Sequence, residues 1–87
     1  MATVWIPRPM QVYTAGEEVV TCDGRTVRRL IIALDERYPG IKDALMDADR
    51  LKRDVAVAVD GKVTRLGLLQ PVTAQNEVVF VPAVSGG

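Results

Sequence analysis

Val78-Val79-Phe80-Val81-Pro82-Ala83-Val84-Ser85-Gly86-Gly87 is the stretch from which the rest of the chain is read. Its first four residues are large, apolar and mostly β-branched, the composition of a strand. Alternation along a strand puts Val78 and Phe80 on one face and Val79 and Val81 on the other. A strand this near a terminus has to be tied down by neighbours, because loose termini rarely carry such side chains. Pro82 closes the run and small residues follow. Gly86 and Gly87 have no side chains, so only backbone and a terminal carboxylate are offered there. The expected division is one domain over residues 1–82 and a flexible tail over 83–87.

Moving upstream, Asn76 is suited to a left-handed turn before this last strand. Residues 67–75 read as an irregular connection in which Leu68, Leu69, Pro71 and Val72 offer some core contact. Val55, Val57 and Val59 alternate with Ala56, Ala58 and Asp60, a period-two strand. Asp60-Gly61 is a strong two-residue hairpin signal, and Lys62 to Leu66 is the expected return strand. The charged segment Asp47 to Asp54 reads as a surface loop. Before it, Thr26 is a good helix N-cap. Val27, Leu30, Ile31, Leu34 and Tyr38 then keep helical time along one stripe, and Pro39-Gly40 ends the helix. Ile41, Ala44 and Leu45 suggest a short further turn. Thr3 to Ile6 and Glu17 to Cys22 read as two strands, with Pro7, Pro9 and Gly16 as punctuation between them.

The order is strand, strand, helix, short helix, strand, strand, strand. One amphipathic helix covering one face of a mixed sheet of about five strands is the economical arrangement for 87 residues. The class is α+β. Hydrophobic residues make up 48% of the chain and aromatics only 5%, so the core is built from Val, Leu and Ile.

Composition also excludes chemistry. There is no histidine and one cysteine, which removes His-based acid–base work, the Ser-His-Asp arrangement and most zinc sites. No acidic loop has calcium spacing. Eleven basic residues balance eleven acidic ones, so the basic excess that phosphate binding requires is missing, and no nucleic-acid partner is expected. No leader or membrane span is read at the N-terminus, which points to a cytoplasmic protein. Cys22 is expected to be a small buried apolar side chain. Arg28 and Arg29 are expected on a solvated helix face, and Trp5 in core or edge packing.

In element order over its whole length, and above all in residues 77–87, the chain resembles the β-grasp, or ubiquitin-like, sulfur carriers. That family includes the small subunit of molybdopterin synthase, the thiamine sulfur carrier and the carriers for cysteine synthesis. The most specific part is the apolar strand followed by Pro82-Ala83-Val84-Ser85-Gly86-Gly87. Tyr38-Pro39-Gly40-Ile41 with Leu45-Met46-Asp47 looks most like the cysteine-synthesis and molybdopterin-type members. The chain departs from the family where Gln75-Asn76 replaces the usual Gly-Asp, and where a large aromatic pair is reduced to Phe80-Val81.

The resemblance implies a carrier or co-substrate and not an enzyme. A ubiquitin-activating-type adenylyltransferase, using ATP and magnesium, would adenylate the Gly87 carboxylate; the chain itself binds no cofactor and no metal. Sulfide equivalents would convert the adenylate to a thiocarboxylate. An acceptor enzyme, a cysteine synthase or the large subunit of molybdopterin synthase, would take the sulfur. Five residues, 83–87, reach at most ~16–18 Å when extended, enough to enter a partner's active site. Glycines without Cβ fit a narrow channel there. Gly87 and Gly86 are thus the candidate reactive end. Phe80 is expected to face the helix, and Val63 and Val81 the open side of the sheet. With Pro82 and Val84 they are the candidate partner contacts. Two other readings stay open: a ubiquitin-like modifier conjugated through Gly87, and a plain β-grasp interaction domain.

Overall fold

The structure is a computed structural model and describes residues 1–82. In chain order its strands are β1 (Ala2–Trp5), β2 (Val19–Cys22), β3 (Met46–Asp47), β4 (Arg50–Leu51), β5 (Val55–Val59), β6 (Lys62–Val63) and β7 (Glu77–Pro82). The helices are α1 (Val27–Arg37) and α2 (Ile41–Leu45). Five strands make one mixed sheet in the order β2-β1-β7-β5-β6, and β3 and β4 form a separate hairpin. This is the β-grasp fold, with one main helix across one face of the sheet.

The terminal strand β7 occupies the centre. β1 runs parallel to it in the register Thr3↔Glu77, Val4↔Val78, Trp5↔Val79. β5 runs antiparallel to it, from Val59↔Val78 through Val57↔Phe80 to Val55↔Pro82. Pairing on both sides is what ties down a strand so near the chain end. Val78 and Phe80 point into the core and are essentially buried. They join Val4, Val20 and Val57 from the sheet and Leu30, Ile31, Leu34, Ile41 and Leu45 from the helices. Each such side chain removed from water contributes roughly 1.5–3 kcal/mol.

Helix α1 starts as its sequence dictates. The Thr26 hydroxyl accepts from the Arg29 backbone N–H at 3.2 Å. A second early N–H, on Val27, is taken by the Gln70 carbonyl at 3.0 Å, which pins the helix start to the segment before β7. The stripe Val27, Leu30, Ile31, Leu34 is buried as the period requires. Tyr38 is only half-buried, because it is the C-cap at φ −130° and no longer on the helical spiral. Gly40 then adopts φ +103°, a region that disfavours side chains. Asp35 Oδ1 accepts from the N–H groups of Gly40 and Lys42, each at 3.1 Å, and so carries the chain into α2.

Three local expectations need correction. The charged segment read as a loop contains the β3–β4 hairpin, Met46↔Leu51 and Asp47↔Arg50, turning at Ala48 with φ +56°. The buried apolar residues at its base, Met46 and half-buried Leu51, were hidden among charges. The return strand after Asp60-Gly61 stops at Val63, because Thr64 leaves the ladder. Its backbone N–H still reaches the Val57 carbonyl, but its hydroxyl bonds the Gln70 side chain and accepts from the Leu66 N–H. Asn76 does not turn left-handed. Its side chain works instead, accepting from the Thr73 N–H at 2.7 Å and donating to Asp60 Oδ2 at 2.6 Å.

Candidate functional site

The open face of the sheet is the side without helices, and alternation decides what it shows. In β7 the outward residues are Glu77, Val79 and Val81. The register then builds a row across all five strands: Val19↔Trp5, Trp5↔Val79, Val79↔Ala58 and Ala58↔Val63. Every member of that row is apolar. Val81 pairs with Ala56 one step further along β7.

Val63 is 68% exposed, Val81 42% and Trp5 41%, high values for large apolar side chains on a sheet. Val63 and Val81 share the open face but are not neighbours. Strand β5 lies between them and contributes only Ala56 and Ala58, so small side chains leave a shallow saddle between two valines. On the other flank, Trp5 Nε1 donates to Glu77 Oε1 at 2.9 Å. That bond draws the indole toward the start of β7 and leaves the Val79–Val81 end uncovered. The polar end of the ring is satisfied while its body remains available for contact.

Pro82 is half-buried and pairs with Val55, the last pair of the ladder. The other candidate residues, Val84, Gly86 and Gly87, lie outside the described residues. The last described residue thus ends the middle strand of the sheet, one position past exposed Val81.

Trp5 and Val19 were missed as surface residues by the sequence reading, which placed Trp5 in packing. The signal was available: in Ala2-Thr3-Val4-Trp5 the burial alternates, and Trp5 has the same parity as Thr3. Cys22 is buried, with its Sγ 3.5 Å from the Leu30 carbonyl. Burial pushes its thiol above the ordinary value, and nearby Arg37 only partly opposes that. A protonated, enclosed thiol is a poor nucleophile. Among the described residues no three Cys, Asp or Glu side chains gather as a metal site would require, and no helix is long and apolar enough to cross a membrane. No buried side-chain nitrogen or oxygen among them lacks a hydrogen-bond partner.

A family model described as the ThiS family matches residues 5–87. The curated sulfur carrier protein CysO of Mycobacterium tuberculosis (strain ATCC 25618 / H37Rv) is 33% identical over 90 residues, covering 98% of this chain and 97% of that protein. The chain superposes on a structure described as the Amycolatopsis orientalis BexX/CysO complex with a TM-score of 0.93 and 34% identity, covering all of both chains. The small archaeal modifier protein 1 of Methanosarcina acetivorans has the same fold, with a TM-score of 0.82 and 21% identity over 99% of this chain and 95% of that one.

Proposed function

This chain belongs to the ThiS family, and from that premise we propose that it is a sulfur carrier that works through the carboxylate of Gly87. The observation that carries the reading is the full-length likeness to CysO sulfur carriers together with a Gly-Gly end. The role is that of a co-substrate in the cytoplasm. The receiving pathway is cysteine biosynthesis, supported by the CysO relatives.

The chemistry follows from the weakness of a carboxylate as an electrophile. Ionised at neutral pH, it has to be activated before sulfur can enter. In the proposed sequence a Gly87 oxygen attacks the α-phosphorus of ATP on a partner adenylyltransferase, and pyrophosphate leaves with magnesium. A sulfide equivalent attacks the acyl carbon of the adenylate, and AMP departs with the electron pair of the broken C–O bond. The product is a thiocarboxylate, whose sulfur is nucleophilic toward an acceptor substrate.

The body of the domain has to supply the binding that two glycines cannot. The apolar row Trp5–Val79–Ala58–Val63, with Val81, is the proposed docking surface, and Pro82 directs Val84, Gly86 and Gly87 into the partner. Buried apolar anchors at an interface centre carry most of the affinity in such contacts.

The test is an intact-mass measurement after incubation with ATP, magnesium, a sulfide source and the cognate adenylyltransferase. A gain equal to the exchange of one oxygen for sulfur, absent when Gly87 is deleted, is expected. An unchanged mass with an enzyme shown active on another carrier overturns the reading. Reductant-resistant conjugates in place of the thiocarboxylate would show a modifier instead.

A further inference from the structure

A second surface lies away from the open sheet face. The 3₁₀ turn Gly67–Leu69 packs beside the β3–β4 hairpin, and between them runs a groove of about 430 Å³. Its apolar parts are half-buried Leu51 and the rims Leu66 and Leu69, 55% and 73% exposed. Three arginines, Arg28, Arg50 and Arg65, line the same groove, against one acidic residue, Asp49.

The arrangement is built and not incidental. Arg28 is half-buried and donates from Nη2 to the Asp49 backbone carbonyl at 3.0 Å, which fixes both the guanidinium and the tip of the hairpin. A guanidinium has five N–H donors, so donors remain for another acceptor. Gly67 adopts φ +55°, and a Cβ there would stand at ordinary contact distance, 3.8 Å, from Leu51 Cδ1, so the turn lies beside the hairpin. The chain as a whole is neutral, so an excess of two positive charges here is a local choice. The groove also has a defined place. Only residues 52–54 separate β4 from β5, whose first residue pairs with Pro82. The Thr64 N–H to Val57 carbonyl bond shows the chain returning toward that same end before Leu66.

We propose that this groove binds an acidic segment of a partner protein, with carboxylates on Arg28, Arg50 and Arg65 and leucine-type side chains between Leu66 and Leu69. Arginine forks match carboxylates bidentately, and opposite charge steers the encounter. A concave apolar floor ringed by cations selects a segment with both features; a flat anionic surface would leave the floor empty. The proposal is independent of what happens at Gly87, and its test leaves the carboxylate untouched.

The experiment is an amide chemical-shift titration of the full ¹⁵N-labelled chain with a short capped peptide in which glutamates flank two leucines. Saturable shifts at Arg50, Leu51, Arg65, Leu66 and Leu69 are expected, weakening as salt rises. Arg50→Glu with Arg65→Glu should keep a dispersed spectrum and bind roughly tenfold more weakly or worse. Leu66→Ser with Leu69→Ser should weaken binding without removing its salt dependence. Equal shifts with a lysine-for-glutamate peptide overturn the proposal, as do shifts confined to the open sheet face. Occupancy by a peptide of residues 83–87, by RNA or by phosphatidylserine vesicles, in place of the acidic peptide, overturns it too.

Discussion

Gly40 lies against the ring of Tyr13, so closely that a Cβ at position 40 would stand 2.9 Å from Tyr13 Cε1. The left-handed backbone at Gly40 and this contact fix the passage from α1 to α2. Gly40→Ala should cost about 2–4 kcal/mol, the sum of backbone strain and overpacking. Urea unfolding measures it. Adding Tyr13→Ala should return the steric part alone, and a double variant no better than the single one would show that backbone strain is the whole effect.

Phe80 and Val81 are adjacent in sequence and opposite in consequence. Phe80→Ala empties the core and should cost roughly 3–5 kcal/mol, a large share of a small domain's stability. Val81→Ala should change stability by no more than about 0.5 kcal/mol. Denaturant midpoints of the two variants test the facing of β7 directly.

Docking is tested by the same valine. Val63→Ala with Val81→Ala should keep the thermal midpoint while weakening binding to the adenylyltransferase by about 1 kcal/mol or more per anchor. Titration calorimetry reads this out. Unchanged affinity would remove the open face from the binding surface.

The Cys22 thiol should resist iodoacetamide in the folded chain and react only as fast as the domain opens. Its folded pKa lies above that of a free thiol because burial disfavours the thiolate. The folded state therefore holds the proton more tightly than the unfolded one. Stability from this source is intact below the unfolded thiol's pKa and declines as pH rises from there through the raised folded value. Unfolding free energies across that window should slope downward, and Cys22→Ala should flatten the slope.

The helix and the central strands were legible because their periods are clean. Val27, Leu30, Ile31 and Leu34 leave no alternative to a helix, and Asp60-Gly61 fixes a turn with φ +51° and +85° at its two residues. What escaped were features set by side chains meeting across the fold. Arg28 holding the Asp49 carbonyl and Asn76 bonding Asp60 are long-range contacts with no local pattern, and Thr64 turning to Gln70 six residues on has none either. The exposed apolar row was half legible. The sequence placed Val79, Val81 and Val63 on the open side, but only the inter-strand register lined up Val19, Trp5 and Ala58 beside them. The reactive end proposed at Gly86 and Gly87 was read from the sequence, from what two glycines leave exposed, and lies outside the described residues.

The indole of Trp5 has one more use. It is the chain's single tryptophan, held to Glu77 and standing in the row beside Val79, so the protein carries its own optical probe at the face where binding is proposed. Emission excited at the indole band reports on that face and nothing else. A partner that covers the row would shift the emission to shorter wavelength and shield it from iodide quenching. A partner that engages only the groove beside Leu66 and Leu69 would leave both unchanged. One unlabelled sample can thus distinguish which of its two surfaces is occupied.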